Sequence, residues 1–300
     1  MQPAAEAPLK IADAERLLRA QHPDLAGQPL RPAGEGWDNV VFRLGDQLAV
    51  KFPRTSAVAE HLELEWRWLA QVSSGLPIKA PLTIRRGRPD PRYPFPWSVV
   101  RWIPGTAVWD LSESEIDGLA GSDACAATLA ELLTGLGGVA PSEVPSNPYR
   151  GCTLRERRQR TDDHFTAAKR VLPNPVGWSW AELTDMWHLA LETRPAKRRR
   201  WCHGDIHPGN VIASGGAYTG LVDWVDLGAG DPAVDLAAAW SLCDADRRRI
   251  VAERTEFSER RWQRAQGWAI AFGLAYLVGS RPETPLRATG IRLLRSVSAS

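Results

Sequence analysis

The segment His203-Gly-Asp-Ile-His-Pro-Gly-Asn210 constrains this chain more than any other. A short apolar lead-in ends at Cys202, and the apolar pair Val211-Ile212 follows. Asp223 lies thirteen residues past Asn210, at the end of the strand-like run Gly220-Leu-Val-Asp223. An Asp, an Asn shortly after it and a second Asp beyond a hairpin form the acidic apparatus of phosphoryl transfer. Asp205 is the expected base, a carboxylate that hydrogen-bonds the attacking hydroxyl and accepts its proton as the new bond forms. Asn210 and Asp223 offer the hard oxygen ligands that magnesium prefers. His203 is read as structural, orienting the loop by hydrogen bonds. His207 is likewise structural, since zinc would want softer or more numerous neighbours.

Such a site needs a cation for the nucleotide phosphates. Lys51 sits in the apolar run Leu48-Ala-Val-Lys-Phe52, where alternation puts Val50 and Phe52 on one face and Ala49 and Lys51 on the other. A lysine there is commonly a solvated strand residue; in a nucleotide site it neutralises the α- and β-phosphates. On the following helix, Val58, Leu62, Leu69 and Val72 fall on one narrow stripe with Glu65 in its middle. A charge centred on an apolar face is costly unless paired, so Glu65 calls for a buried cation, and Lys51 is the candidate. The alternative is a Glu that snorkels at the edge of the stripe. Upstream, Gly34-Glu-Gly36-Trp-Asp-Asn39 places two glycines before a strand, where backbone N–H groups can close over phosphates. Gly36 and Asn39 are the candidate residues of that loop.

Around these motifs the pattern changes from mixed to helical. A short amphipathic helix is expected over residues 11–20, then a Pro- and Gly-rich loop from Gly27 to Gly36. Val40–Leu44 and Leu48–Phe52 read as a hairpin, followed by a helix over 56–72 and strands near Leu82–Arg86 and Trp97–Ile103. Pro104-Gly105 punctuates the chain. Helices are expected over 113–136, 153–171, 179–192, 232–243, 246–257 and 260–279, with loop and hairpin from Trp201 to Asp226. The last twenty residues look polar and weakly patterned. In Gly230-Asp-Pro-Ala-Val-Asp235, Asp231 suits a helix N-cap before Pro232. Asp235 suits a buried acceptor for backbone N–H groups of the catalytic loop. The expectation is an α+β, bilobal fold: residues 1–103 as an N-lobe with an antiparallel sheet plus a helix, and 104–300 as a larger, mostly helical C-lobe.

Three hundred residues with 44% apolar and 24% charged content suit a globular protein with a sizeable core. A net charge of +2 argues against nucleic acid as the partner, and the arginine runs Arg155–Arg160, Lys197–Arg200 and Arg247–Arg249 are read as solvated helix faces and turns. The longest apolar run, Trp268–Gly279, is too short to span a bilayer, so no membrane partner is expected. The N-terminus lacks the basic start and apolar core of a signal peptide. Cys125, Cys152, Cys202 and Cys243 show no paired spacing, which fits a reducing, cytoplasmic setting. Fourteen tryptophans are read first as core packing, with some in the C-terminal half left as possible walls of an acceptor pocket.

Taken together, Gly36-Trp-Asp-Asn39, Lys51, Glu65, Trp97–Gly105, His203–Asn210, Asp223 and Gly230–Ala237 resemble the bacterial aminoglycoside phosphotransferase family. That family shares the bilobal fold of protein kinases and includes macrolide kinases. The resemblance covers residues from about 34 to 268. It implies that the backbone of Arg101 and Ile103 receives the purine at the hinge. Two departures are present: Asp223-Trp-Val stands where protein kinases have Asp-Phe-Gly, and the glycine loop lacks a third glycine. Neither removes a catalytic atom. The expected activity is transfer of the γ-phosphate of ATP or GTP, with Mg2+, to a hydroxyl of a small molecule, an antibiotic such as an aminoglycoside or macrolide. The alternatives are a kinase of a sugar, choline-like or amino-alcohol metabolite, and a nucleotide-binding module without turnover. Between 150 and 200 there are six acidic and twelve basic residues, which gives no support to a strongly cationic acceptor.

Overall fold

Alternating apolar residues and tight turns build the first sheet. In the computed structural model, which describes residues 4–299, the chain divides into two units. One runs to Ser74 and resumes over Lys79–Pro104; the other takes Gly75–Ile78 and Gly105 onward.

The first unit begins with helix α1, Ile11–Gln21, and continues through β1 (Leu30–Glu35), β2 (Asn39–Leu44) and β3 (Leu48–Pro53). Helix α2 (Ser56–Ser73), β4 (Thr83–Gly87) and β5 (Trp97–Arg101) complete it. The five strands pair antiparallel in the order β1-β2-β3-β5-β4. Val41 sits opposite Lys51, and Lys51 opposite Ser98, so β3 is the central strand. Phe52 anchors the core: its ring lies 5.1 Å from that of Trp97 and 5.3 Å from that of Tyr93, beside buried Leu17 and Leu44. Thr55 caps α2 by accepting the Val58 N–H.

One expectation fails here. The stretch from Gly27 to Gly36 was expected as loop, yet Leu30–Glu35 forms a strand. Pro32 and Gly34 are poor strand formers, but β1 is an edge strand, and its register slips between these two residues to accommodate them.

The second unit opens with β6 (Thr106–Ala107), α3 (Glu113–Ala120), α4 (Asp123–Leu136), α5 (Leu154–Val171) and α6 (Trp180–Glu192). It continues with β7 (Arg200–Cys202), β8 (Val211–Ser214), β9 (Ala217–Leu221) and β10 (Gly228–Gly230). Helices α7 (Ala233–Leu236), α8 (Ala239–Leu242), α9 (Ala245–Thr255), α10 (Glu259–Gly279) and α11 (Pro285–Ser298) end it. Helix α10 is its spine, buried along Trp268, Ile270, Phe272, Leu274 and Leu277 and packed against α5, α6, α7 and α11.

Three helix expectations are corrected. Residues 113–136 form two helices, because Gly121 closes α3 and the Ser122 side chain opens α4 by accepting the Cys125 N–H. Residues 232–243 form two short turns, α7 and α8, since Ala238 and Trp240 bond three residues back rather than four. The last twenty residues, expected to be weakly patterned, carry α11, whose buried face is Thr289, Gly290, Leu293, Leu294 and Val297. Two of those five positions are not strongly apolar, which hides the helical period. Seven of the fourteen tryptophans are buried in the core, and Trp97, Trp187, Trp224 and Trp268 fully so.

Candidate active site

In the first unit, β3 and α2 bring Lys51 and Glu65 together. Nζ of Lys51 donates to Oε2 of Glu65 at 2.5 Å, with the Glu65 side chain 1% exposed. The buried carboxylate therefore has the cation its place on the stripe requires. Its second oxygen, Oε1, has no partner among the described residues, nor has the buried Thr83 Oγ1. Both residues line a cavity of about 190 Å³ together with Trp66, Leu69, Leu82 and Arg101.

Gly36 and Asn39 form the turn between β1 and β2, where the Gly36 N–H donates to Asn39 O at 2.9 Å. A side chain at Gly34 would meet nothing within 4 Å, and one at Gly36 only Asn39 O at 3.8 Å. Arg54, which was not anticipated, holds the loop from below: Nη1 donates to the carbonyls of Gly36 and Trp37 at 3.1 and 3.2 Å, and the Arg54 N–H to Asp38 O at 2.8 Å. At the end of β5, the Arg101 N–H is engaged by Leu82 O and the Trp102 N–H by Gln47 O. The next amide along the chain, that of Ile103, lies beyond the strand.

In the second unit, the His203–Asn210 segment is held by backbone bonds to a single carboxylate. Asp235 Oδ2 accepts the His203 N–H and Oδ1 the Gly204 N–H, both at 2.8 Å. Burial pushes the Asp235 carboxyl up to about 7, against the pull of the two amides. Gly204 turns the chain with φ at +88°, a conformation that a side chain would strain. His203 Nδ1 accepts the Asp205 N–H at 3.2 Å, which leaves Nε2 to carry the proton and donate to Val222 O at 3.1 Å. Burial lowers the His203 pKa to about 4, so the ring is neutral at physiological pH and serves as a brace, as expected. His207 braces the same loop by accepting the Gly209 N–H at Nδ1.

The β8–β9 hairpin sets Asn210 beside Asp223. Val211 pairs with Leu221, and the Val222 N–H donates to Asn210 O at 2.9 Å, so the ladder runs up to the residue before Asp223. Asp223 itself adopts the left-handed conformation with φ of 60°. Asn210 Nδ2 donates to the Asp205 carbonyl at 2.9 Å, which fixes the carboxamide nitrogen and leaves its oxygen as the atom that could face a cation. Asp205, Asn210 and Asp223 thus share one hydrogen-bonded frame.

The Asp205 carboxylate has neighbours that the sequence did not reveal. Arg150 Nη2 lies 3.1 Å from Oδ1, the Tyr276 hydroxyl donates to Oδ1 at 3.1 Å, and His207 Nε2 lies 3.5 Å from Oδ2. Burial alone would raise this carboxyl. Arg150, then His207 and His203, outweigh it and hold the group well below the usual carboxylate range. Arg150 is placed by a turn in which Asn147 Oδ1 accepts the N–H groups of Tyr149 and Arg150 at 2.8 and 2.9 Å. Asn147 Nδ2 in turn donates to Asp226, the second carboxylate that Arg150 meets. Asn147 and Arg150 sit in an unpatterned loop, and Tyr276 reads as one more apolar residue of α10; no local spacing marks any of them.

The donor set fits magnesium bound together with phosphates. Among the described residues no group of three or more His, Cys, Asp or Glu could hold a metal unaided. Magnesium in nucleotide sites takes one or two protein oxygens and fills the rest of its shell with phosphate and water, and Asn210 and Asp223 supply that number.

The sequence profile of the phosphotransferase enzyme family matches residues 29–268. An aminoglycoside 3'-phosphotransferase of Streptomyces fradiae is 28% identical over 158 residues, 49% of this chain and 57% of the relative. A viomycin phosphotransferase of Streptomyces vinaceus is 28% identical over 206 residues, 65% of this chain and 67% of the relative. A thiamine kinase of Escherichia coli is 32% identical over 93 residues, 30% of this chain and 33% of the relative. The chain thus spans between a third and two thirds of the length of these relatives. Among solved structures, the GDP complex of aminoglycoside 2'-phosphotransferase-IIIa superposes with a TM-score of 0.63 at 18% identity, covering 97% of this chain and 99% of that one. The macrolide 2'-phosphotransferase MphH of Brachybacterium faecium gives 0.62 at 17% identity over 95% and 98%. At such identities the likeness speaks for the fold, the α+β architecture shared by these kinases. With its profile matched from the first strand to the middle of α10, the chain belongs to the phosphotransferase enzyme family.

Proposed function

We propose that this protein is a small-molecule O-phosphotransferase that moves the γ-phosphate of ATP or GTP to a hydroxyl of an antibiotic-like acceptor, of the aminoglycoside or macrolide kind. The observation that carries the reading is the single hydrogen-bonded frame that sets Asp205, Asn210 and Asp223 on one loop and one hairpin. Residues 1–103 form the nucleotide-binding lobe in this reading, and residues 104–300 the catalytic and acceptor-binding lobe. Lys51, held by Glu65, neutralises the nucleotide phosphates; Gly36 and Asn39 close over them; the backbone of Arg101 and Ile103 takes the purine. Asn210 and Asp223 would hold magnesium, which supplies charge neutralisation at the phosphate oxygens.

Asp205 accepts a hydrogen bond from the acceptor hydroxyl and points its lone pair at the γ-phosphorus. As the new P–O bond forms, the bond to the β-phosphate oxygen breaks, the nucleoside diphosphate leaves, and the hydroxyl proton passes to Asp205. Because Arg150 keeps Asp205 weakly basic, orientation comes first and proton transfer late. The four free cysteines fit a reducing compartment, and we place the enzyme in the cytoplasm. No helix among the described residues is long and apolar enough to cross a membrane.

A second reading, the same chemistry on a metabolite, is favoured by the match to the thiamine kinase. Magnesium-dependent nucleotide consumption against a panel of aminoglycosides, macrolides, thiamine and simple sugars separates the two, with Asp205→Asn as control. Acceptor-dependent turnover lost in the variant supports the kinase reading. Turnover that survives Asp205→Asn would overturn the assignment of the base, and nucleotide binding without turnover on any acceptor would favour a regulatory module.

A further inference from the structure

Helix α5 was read as a solvated face for its arginines, but Arg157 is only 7% exposed. Its guanidinium lies over the Trp268 ring at 5.0 Å and reaches the Phe272 ring at 5.9 Å. Nη1 donates to Tyr149 O at 2.7 Å; Nε is enclosed and has no partner. Among the described residues Arg157 forms no ion pair with any carboxylate. Burial first, then Arg150, lowers its pKa to about 10; Cys152 pulls the other way, and Arg160 acts in the same direction as Arg150. It remains a guanidinium at neutral pH. A buried charge without a counter-ion costs several kcal/mol on the order-of-magnitude scale, and structures retain one where something else supplies the opposite charge.

Its position says what that something meets. The Phe272 ring that Arg157 approaches also carries Arg150, whose guanidinium carbon lies 4.7 Å from the centroid. Arg150 is the ion-pair partner of Asp205, and Tyr276, one turn along α10 from Phe272, donates to the same carboxylate. Arg157 therefore sits one side chain away from the base. Arg150 is neutralised by Asp205 and Asp226; Arg157 is the surplus charge.

We propose that Arg157, on the aromatic floor of Trp268 and Phe272, forms an anion subsite that holds a carboxylate or phosphate group of the acceptor while the acceptor's hydroxyl reaches Asp205. The inference rests on the phosphotransferase chemistry proposed above, and among acceptors it favours the second reading, a hydroxylated metabolite that carries an anionic group, over an aminoglycoside or a macrolide. It departs from the polycationic acceptor that the names of several relatives suggest. The planar guanidinium is held over an aromatic face with Nη1 fixed on Tyr149 O, a placement that a lysine would match less well.

Three hexoses of one skeleton test it: glucuronate, glucose and glucosamine, bearing a carboxylate, no charge and an ammonium. Their binding to the full chain is measured by saturation-transfer NMR without nucleotide, so that no transferred phosphate contributes the anion. The expected order is glucuronate above glucose above glucosamine, with glucuronate at least tenfold tighter than glucosamine. Arg157→Met should abolish the order, Arg157→Lys should keep it at reduced strength, and both variants should bind magnesium-ATP as the wild type does. A second arm repeats the titration with inorganic phosphate; competition with glucuronate lost in Arg157→Met supports the subsite. No glucuronate binding, an order unchanged in a folded Arg157→Met, or glucosamine bound tightest would overturn the proposal. Failure of the phosphotransferase reading shows itself separately, as loss of magnesium-ATP binding or as turnover indifferent to Asp205→Asn.

Discussion

Arg150 and Asp205 form an ion pair in which Nη2 stands 3.1 Å from Oδ1, so the proposed base carries its own counter-charge before any acceptor arrives. Arg150→Met should release the carboxyl toward its ordinary range. The lowered pKa predicts an acid limb of kcat/KM below the ordinary carboxylate range in the wild type. The variant's limb should move up by about one to three units, as expected for loss of an adjacent opposite charge. Rate profiles of both proteins between pH 3 and 8 check this. An unmoved limb would mean that Arg150 does not set the basicity of the base.

The hydroxyl of Tyr276 shares the same oxygen of Asp205. Tyr276→Phe removes one neutral donor and leaves the ring in place, so kcat should fall roughly fivefold, the equivalent of about 1 kcal/mol. The magnesium-ATP KM should stay constant. A change confined to nucleotide KM would contradict the placement of Tyr276 beside the base.

Lys51 and Glu65 are buried as a pair. Lys51→Met strands a carboxylate in an apolar setting and should cost about 3–5 kcal/mol, seen as a fall in thermal midpoint of roughly 10 °C. The double variant Lys51→Met/Glu65→Leu should recover most of that stability without recovering nucleotide binding. Equal melting of the single and double variants would show that the pair is not desolvated.

Acid should act through His203. Its folded pKa, about 4, lies below the ordinary 6.5, so the unfolded chain binds the proton first. Stability attributable to this group is complete above pH 6.5 and declines as pH falls toward 4, by ~3 kcal/mol in all. Asp235, raised to about 7, acts with the opposite sign, gaining stability as pH falls from 7 toward 3.8. The comparison is therefore between His203→Gln and the wild type, in which the Asp235 contribution is common. Urea midpoints at pH 7 and pH 4.5 should show a smaller acid loss in the variant; equal losses would rule out a buried neutral His203.

The frame at His203–Asn210 was legible because it is local: the proposed base, the brace and the Asn proposed for magnesium are spaced along one turn. Asp223 was legible for the same reason, one hairpin away. Lys51 and Glu65 could be matched because a carboxylate on an apolar stripe demands a cation and one lay on the preceding strand. Arg150 and Tyr276 follow a different logic. Tyr276 is 71 residues from Asp205, and only the packing of α10 brings it there. Arg157 was hidden by its company, since an arginine run reads as solvated until an aromatic floor is found beneath one member. Strand β1 and helix α11 were missed where Pro32, Thr289 and Gly290 dilute the apolar period.

Helix α11 gives the far end of the described chain an influence on the reacting centre. A side chain at Gly290 would strike Gly273 O at 2.9 Å, so the backbones of α10 and α11 touch at the level of Tyr276. The tyrosine that bonds the proposed base is therefore only as fixed as the segment behind it. On the proposed activity, fusion partners, cleavage or substitutions along residues 285–298 become modifiers of turnover at a distance, and a screen for altered acceptor use should find hits there as well as around Asp205.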